Sequence, residues 1–374
     1  MSNTSIPPMV KRDLWFAAHG RCEFRGCNKA LYVHGVTMDK CNISNYAHII
    51  GDSKNGPRGH EVLSKELAQD PSNLILLCPE CHKLIDNEGE EKYTVEILRD
   101  MKKEHEERIE RVTGIQPEKK SLVVIYGPKI GGDTPHFHKD TLYNTIFPER
   151  YPSSSSPVEI QMKNSVMQDG DPDYWAAEVK QIESICEEKI LKPLREEEIS
   201  HVSLFAIGPQ PLLVKLGTML NDKYPIHVYQ NHRTTDSWKW VDEEVSDDIH
   251  VIEPEDKTKD PILVIALSAN AIRERVSKQY DKKASIWCIT CTNPDNDMLR
   301  SNDQLKQFEK AARKVMDDIK TLHSDSPELK IFMAAPSACA VELGRIRMPK
   351  ADMPWILYDY NIKKGEDYET ITIK

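Results

Sequence analysis

The sequence lacks any apolar run long enough to cross a membrane, and its first residues contain no apolar signal-peptide core. It also lacks an overall excess of basic residues, since the net charge is −10, so composition alone does not indicate nucleic-acid binding. We therefore expect a cytoplasmic protein. Its nine cysteines should be reduced there, which favours metal binding or burial over disulfide bonds.

The length and the charge distribution indicate more than one domain. A chain of 374 residues is long enough for two or three domains, each with its own core. Residues 1–65 contain nine Lys and Arg against five Asp and Glu, a local charge of about +4, so the acidic residues are concentrated further along the chain.

Two pairs of cysteines lie in the first 115 residues. Cys22 and Cys27 form a Cys-x4-Cys pair, and Cys78 and Cys81 form a Cys-x2-Cys pair. Four thiolates suit a closed, tetrahedral zinc site with a structural role. The alternative is that Cys22 and Cys27 are two unrelated buried thiols.

The second cysteine pair leads directly into further ligand-type residues. His82 follows Cys81, and Asp86 comes four positions later, so the two side chains share one face of a helix. This pair could hold a second, hard divalent ion. Upstream, a predicted short strand at 46–50 leads into a polar, glycine-rich loop with Lys54 and Arg58, which is suited to contacting a phosphate backbone.

Residues 11–112 resemble the HNH nuclease family, which has a ββα-metal fold. The resemblance places His48 at the general base, Asn73 at the central asparagine and His82 at the histidine of the metal-binding helix. It implies Mg²⁺ or Mn²⁺ as the catalytic ion, held by His82 and Asp86. Many members have an acidic residue or a histidine as a metal ligand at the position of Ala47. Because alanine cannot bind the ion, other residues must hold it, and Asp52 and His60 are weaker candidates than His82 and Asp86. The alternative is a zinc module that binds without cutting.

The end of this first domain is marked by an amphipathic helix at 94–112, with Thr94 as its N-cap. We therefore predict a first domain at 1–115, a linker at 116–120 and a second domain at 121–374. The second domain should be an α/β fold with substantial parallel strand pairing, because buried apolar strands alternate there with helical segments.

The second domain contains an internal repeat. Phe205, Pro209 and Leu216-Gly217 recur 127 residues later as Phe332, Pro336 and Leu343-Gly344. The halves, at about 121–240 and 260–374, are predicted to be two copies of one α/β unit joined by an acidic segment, Asp242 to Asp256. The alternative is convergence of two similar strand-turn-helix units.

The predicted loops at the carboxyl ends of these strands could bind a ligand with several phosphates and bases. Basic side chains there could neutralise phosphates, and aromatic side chains could stack on bases. Trp238 and Trp240 lie in a polar loop, where core packing is the alternative to ligand contact. The candidate ligand residues are Lys129, Pro209, Gln210, Arg233, Trp238, Trp240, Asn270, Arg273, Pro336 and Tyr358.

Residues 120–374 resemble the SAVED domain, a fused pair of CARF-like units that senses cyclic oligonucleotides. Together the two halves are similar to HNH–SAVED effector nucleases of CBASS anti-phage systems. The resemblance implies that a partner cyclase makes a cyclic di- or trinucleotide, that the subunits then assemble, and that the first domains cut double-stranded DNA. Two alternatives are a modification-dependent restriction nuclease and a non-catalytic zinc regulator that binds DNA.

Overall fold

The protein is described from a computed structural model, which covers residues 4–87, 91–130, 133–162, 167, 171, 173–241, 249–280, 282–361 and 364–374. The chain divides into two compact units, Met1–Ile115 (unit 1) and Gln116–Lys374 (unit 2). Residues 131–132 of the glycine-rich segment after Tyr126 and residues 242–248 of the acidic segment lie outside the described residues. Within the described ranges, no helix is both long and apolar enough to cross a membrane.

The described residues of unit 1 form a two-stranded antiparallel sheet and four α-helices. Its elements are α1 (Pro8–Ala17), β1 (Asn45–His48), α2 (Leu63–Glu66), β2 (Leu74–Leu77), α3 (Pro79–Asn87) and α4 (Val95–Thr113). In the sheet, His48 lies opposite Leu74. The core contains Leu31, Ile75 and Leu98, which are fully buried. The thiol-rich segment therefore enters α3 directly from a buried strand.

The helix boundaries in unit 1 follow from the chemistry of their first residues. The predicted cap of α4 is confirmed, because the Thr94 hydroxyl accepts a hydrogen bond from the Ile97 amide at 3.3 Å. The other end of unit 1 shows a different device, since α1 begins at Pro8 and has no side-chain cap. Proline is well tolerated in the first helical turn, since its missing N–H would have no partner there.

The described residues of unit 2 form two sheets. The first belongs to the first half of the predicted repeat, and the second combines the second half with His250–Ile252, from the segment that was predicted only to join the halves. The first half comprises β3 (Lys120–Tyr126), α5 (Lys139–Ile146), β4 (Tyr151–Pro152), β5 (Val158–Ile160), α6 (Tyr174–Ile185), α7 (Lys192–Arg195), β6 (Val202–Ala206), α8 (Gln210–Leu220) and β7 (Ile226–Tyr229). The rest of unit 2 comprises β8 (His250–Ile252), β9 (Pro261–Ala266), α9 (Ala271–Tyr280), β10 (Ser285–Thr290), α10 (Asn302–Leu322), β11 (Leu329–Ala334), α11 (Ser337–Arg345), β12 (Trp355–Asn361) and β13 (Glu366–Ile373).

The two halves have the same central strand arrangement, which confirms the predicted parallel pairing and agrees with the predicted repeat. In the first sheet, β3, β6 and β7 are consecutive parallel neighbours. In the second, β9, β11 and β12 take the same places, also in parallel. The Phe205 and Tyr229 rings stack with centroids 4.6 Å apart, and Phe332 and Tyr358 repeat this contact at 4.5 Å.

One long helical stretch of unit 2 contains a π-helical segment. The sequence from Asp173 to Leu194 predicts a long helical stretch, and the structure is helical throughout Tyr174–Arg195, because α6, a π-helical segment at Cys186–Leu191 and α7 follow one another without a gap. Pro193 lies just beyond this segment. A proline inside a helix lacks an amide donor and clashes with the carbonyl four residues earlier, and wider π-helical turns accommodate such disruptions.

The two halves meet where α8 packs against α11 through their glycines. A Cβ atom built on Gly217 would lie 2.0 Å from the Val341 carbonyl oxygen, and one built on Gly344 would lie 2.0 Å from the Val214 oxygen. The contact is reciprocal, because Val214 and Val341 are themselves equivalent in the repeat. The shared glycines therefore allow the two helix backbones to touch.

We expect Gly217→Ala to lower the free energy of unfolding of unit 2 by about 1–3 kcal/mol, since overpacking a close contact costs this amount. Helix propensity alone would change stability the other way, because alanine is favoured over glycine inside a helix. Urea unfolding followed by tryptophan fluorescence measures the difference, since five of the six tryptophans lie in unit 2. The control is Ser277→Ala on the exposed side of α9, and equal stability of both variants would contradict the prediction.

Candidate functional site

Four cysteine side chains converge at the start of α3. The sulfur atoms of Cys22, Cys27, Cys78 and Cys81 all lie within 4.8 Å of one another. The amide of Cys78 donates to the Cys22 sulfur at 3.3 Å, and the amide of Cys81 donates to the Cys78 sulfur at 3.4 Å. The cysteine pairs, 51 or more residues apart in sequence, are thus brought together as the spacing predicted.

The geometry and chemistry of this cluster fit a zinc ion. Tetrahedral zinc–thiolate bonds of about 2.3 Å place the sulfurs about 3.8 Å apart, and the Cys27 and Cys78 sulfurs are 4.0 Å apart. Burial raises the pKa of the Cys22 thiol to about 12, because a lone thiolate is poorly solvated there. A cation that binds the four thiolates would offset this cost, and its binding would release protons.

His48 lies at the end of β1 with its imidazole mostly buried. Its Nε2 atom is 2.9 Å from the Ala68 carbonyl oxygen. A carbonyl can only accept a hydrogen bond, so Nε2 is the protonated nitrogen of the neutral ring and Nδ1 holds the lone pair. The contact therefore fixes both the tautomer and the orientation expected of a general base.

Asn73 is fully buried and holds the chain that follows His48. Its Oδ1 atom accepts from the Ile50 amide at 2.8 Å, while Nδ2 donates to the Ile50 carbonyl at 2.9 Å and to Leu67 at 3.2 Å. These contacts engage the backbone two residues beyond His48, and the imidazole itself bonds to Ala68. Asn73 thus pins the loop that follows His48 by hydrogen bonds, and its place among the catalytic residues stays a prediction.

His82 and Asp86 form the second pair of predicted ligands, one turn apart on α3. Nε2 of His82 is 3.4 Å from a carboxylate oxygen of Asp86, and both side chains are partly exposed. Their donors suit one divalent ion reached from solvent. Within the described residues, no third His, Cys or acidic ligand joins them at metal-site spacing. His60 instead caps α2, since its Nδ1 accepts from the amides of Val62 and Leu63.

The structure corrects the predicted DNA contact of Arg58. Its side chain is only 3% exposed, and Nε donates to the Ile49 carbonyl at 2.8 Å. A phosphate group cannot reach a guanidinium buried in this way, so Arg58 is a structural residue of the site. Lys54, on the same loop, is exposed and stays a candidate for DNA contact. Sequence patterns cannot separate the two, because both are basic residues in one polar loop.

In unit 2, hydrogen bonds tie the two halves together at the carboxyl ends of their parallel strands. Gln210, the first residue of α8, donates to the Ala335 carbonyl at 3.0 Å. Gln230, just after β7, accepts from the Ala338 amide at the start of α11 at 3.0 Å. Asp297 accepts from the amides of Arg233 and Thr234. The amino termini of α8 and α11 are therefore adjacent.

Two polar atoms at this edge are buried without a protein partner. They are Oε1 of Gln210 and Nε2 of His232, and neither has a hydrogen bond within the described residues. Burying a polar atom unpaired costs free energy, so such atoms mark places where a ligand or water can bind. Sequence reasoning missed Gln230, His232 and Asp297, since nothing in their local sequence distinguishes them from other polar loop residues.

The remaining candidate ligand residues divide by exposure. Arg233, Asn270 and Arg273 are exposed, whereas Pro209 and Pro336 are buried at the N-caps of α8 and α11. Lys129 is half-buried, and its carbonyl accepts from the Tyr174 hydroxyl at 2.6 Å. Tyr358 is half-buried and stacks on Phe332, just as Tyr229 stacks on Phe205 in the first half.

The structure also corrects the predicted base-stacking role of Trp238. This side chain is 5% exposed and packs against Phe137 and Phe205, with ring centroids 5.8 and 5.2 Å away. Trp238 is thus a core residue, because both neighbours occupy the space that a base would need. Trp240 is partly exposed, and its indole N–H donates to His227 Nε2 at 3.1 Å.

Comparison with protein families identifies one match, over residues 182–373. It is the family SAVED, described as the SMODS-associated and fused to various effectors sensor domain. The match covers more than half of the chain and most of unit 2, including α8, α11 and the edge where their amino termini meet. No curated protein matches the chain.

Solved structures with similarity to the chain include Cap4 SAVED/CARF-domain containing receptors. That of Acinetobacter baumannii with the cyclic trinucleotide 2'3'3'-cAAA has 13% identity and a TM-score of 0.43, covering 84% of this chain and 66% of that one. That of Moraxella osloensis has 15% identity and a TM-score of 0.37, covering 59% and 48%. The chain thus spans about two thirds or less of these structures.

Proposed function

Because the chain belongs to the SAVED family of sensor domains through residues 182–373, we propose that it is a nuclease effector switched on by a cyclic oligonucleotide. The family consists of sensor domains fused to various effectors, and unit 1 lies outside the matched residues. In this proposal, unit 2 binds the nucleotide made by a partner cyclase, the subunits associate, and unit 1 cuts double-stranded DNA during phage infection.

The observation that carries the nuclease assignment is the placement of His48 beside α3. Two antiparallel strands lead into that helix, as in a ββα-metal fold, and α3 packs on β1. The Ala68 carbonyl holds the ring so that Nδ1 can accept a proton from the attacking water. Asn73 fixes the backbone that follows the imidazole, and the four-cysteine cluster anchors the beginning of α3.

His82 and Asp86 would hold the divalent ion of this site. A bound Mg²⁺ or Mn²⁺ supplies charge stabilisation at the scissile phosphate and the leaving oxygen. Both ligands are on one face of α3, and each is partly exposed, so an ion can reach them from solvent. Lys54, exposed on the loop after β1, would contact the DNA backbone.

The joined edge of unit 2 supports the sensor role. Helix amino termini present free N–H groups and a partial positive charge, which favour phosphate binding. Here two such termini are adjacent, and the buried Oε1 of Gln210 and Nε2 of His232 could pair with base or sugar groups. Exposed Arg233, just after β7, and exposed Arg273, in the first turn of α9, add positive charge near the same ends of the strands.

The proposed function predicts plasmid cleavage that requires both a divalent ion and a cyclic nucleotide. The assay combines plasmid, Mg²⁺ and the full chain, with and without a panel of cyclic di- and trinucleotides, and measures oligomeric state in parallel. Cleavage without any nucleotide, with an unchanged oligomeric state, contradicts the sensor role. Nucleotide binding without nicks at any Mg²⁺ or Mn²⁺ concentration contradicts the nuclease role. Binding of modified DNA by unit 2 would favour a restriction nuclease instead.

We expect Gln210→Leu to weaken nucleotide binding about tenfold, because it removes a buried group that would pair with the ligand. Isothermal titration with the activating nucleotide measures the change. The matched control is Gln279→Leu, since Gln279 is an exposed glutamine on α9, away from the α8 and α11 amino termini. Equal affinities of both variants and the unchanged protein would remove Gln210 from the ligand site.

A further inference from the structure

Arg58 reaches from the loop after β1 to the far end of α3. In addition to the bond to Ile49, Nη1 donates to the Ile85 carbonyl at 2.9 Å, and Nη2 donates to the His48 carbonyl at 3.4 Å. Nη2 also lies 3.5 Å from a carboxylate oxygen of Asp86. One guanidinium therefore touches both the residue proposed as general base and a residue proposed as metal ligand.

The loop is folded so that Arg58 points inward. The backbone of Arg58 has φ of +56°, a left-handed conformation that few side chains other than glycine favour. Next to it, a Cβ atom on Gly59 would lie 2.5 Å from the carbonyl oxygens of Ser53 and Lys54, so the loop is tightly closed there. The hydrogen bonds of the guanidinium hold this unfavourable backbone conformation in place.

The chemistry of arginine suits this position. The Ile85 carbonyl is among the last four of α3, which have no partner inside the helix and carry partial negative charge. A guanidinium has five N–H donors in a rigid fork and stays charged when buried. Lysine would keep the charge, but its single ammonium group cannot span the same carbonyls.

We propose that Arg58 is a positioning residue that sets the distance between His48 and the His82–Asp86 pair and weakens divalent-ion binding at Asp86. This inference rests on the nuclease function proposed above. The positioning role follows because Arg58 bonds directly to the backbone of His48 and of α3. The weaker binding of the divalent ion follows because a fixed cation 3.5 Å from Asp86 repels a metal ion that approaches the same carboxylate.

Two substitutions separate the positioning role of Arg58 from the effect of its charge. Arg58→Gly removes both the hydrogen bonds and the charge, but glycine suits the positive φ, so the loop backbone should be retained. Arg58→Lys keeps the charge and loses the fork. At saturating Mn²⁺, we expect kcat for plasmid cleavage to fall about a hundredfold in both variants, as a displacement of about 1 Å in an active site can cause. Added guanidinium ion should restore most of the rate to Arg58→Gly only.

The charge effect is measured without DNA, from the binding of Mn²⁺ followed by electron paramagnetic resonance on zinc-loaded protein. We expect Arg58→Gly to bind Mn²⁺ about threefold to tenfold more tightly, as loss of one nearby cation implies, and Arg58→Lys to match the unchanged protein. Asp86→Asn should abolish this binding. The control is Asn55→Ala, an exposed change in the same loop that should alter neither quantity.

The outcomes distinguish this inference from the nuclease proposal itself. If the unchanged protein never cuts DNA, the nuclease function fails, while the Mn²⁺ titration still tests the coupling between Arg58 and Asp86. If the unchanged protein cuts and Arg58→Gly cuts equally fast, the positioning role is wrong. A slower Arg58→Gly that keeps its zinc, is not rescued by guanidinium and binds Mn²⁺ no more tightly would show that Arg58 only stabilises the fold.

Discussion

Replacing His48 by glutamine is expected to reduce the rate of plasmid cleavage by about a hundredfold to ten-thousandfold, the usual contribution of a general base. The glutamine amide can still donate to the Ala68 carbonyl that Nε2 of His48 contacts at 2.9 Å, so the fold should be preserved. It has no basic nitrogen to replace Nδ1. Initial rates at saturating Mg²⁺ and activating nucleotide measure the loss.

Two further measurements make this test specific. Nucleotide affinity should be unchanged in His48→Gln because the residues proposed to bind the nucleotide belong to unit 2, and zinc content should be unchanged because the four cysteines remain. His34→Ala provides the matched control, since His34 is an exposed histidine of unit 1 whose ring bonds to Thr37, three residues later in the same loop. Full activity of His48→Gln would remove His48 from the reaction, whatever the effect on DNA binding.

Removing zinc is expected to unfold unit 1 and leave unit 2 folded. Structural zinc contributes about 10–16 kcal/mol in small zinc domains near neutral pH, as much as the whole stability of a typical domain. The cluster joins two chain segments that are 51 or more residues apart, and Cys78 is completely buried within it. Cys78→Ser, or a strong chelator, should therefore abolish cleavage through loss of structure.

Limited proteolysis with mass spectrometry measures this outcome. We expect rapid digestion of residues 1–115 and a protected fragment that begins near Gln116, where the two compact units divide. Metal analysis of the untreated protein should give one zinc per chain. Cys41→Ser is the control, because Cys41 is a half-buried cysteine of unit 1 outside the cluster. A protease-resistant unit 1 in zinc-free Cys78→Ser would show that the four thiols hold no structural ion.

Local sequence patterns predicted the parts of the site that depend on local spacing. Cys78 and Cys81 lie within one turn of the chain, and His82 and Asp86 lie one helical turn apart. The two residues of each pair are therefore neighbours once the local turn or helix has formed. The central strands of unit 2 were predictable because long apolar runs have few alternatives to burial, whereas short or polar strands such as β4 and β13 carry no such signal. The repeat was visible since both copies retain the residues that pack at the same contacts, such as Phe205 and Phe332.

The roles of polar and aromatic loop residues were not predictable in the same way. Arg58 and Lys54 have similar sequence surroundings, yet one is buried and the other exposed. Trp238 lies in a polar segment but completes an aromatic cluster with Phe137, 101 residues earlier. Burial of such side chains depends on partners that are remote in sequence, and single-sequence patterns carry no information about them.

The amino-acid sequence was enough to predict the four cysteines that converge, the central apolar strands of unit 2 and the repeated motif that contains Phe205 and Phe332. Tertiary structure alone decided that Arg58 links His48 to Asp86 and that Gln210 and Gln230 join the two halves of unit 2. The physical reason is the range of the interactions. Ligand spacing and hydrophobic periodicity act over a few residues, whereas these hydrogen bonds connect groups up to 125 residues apart.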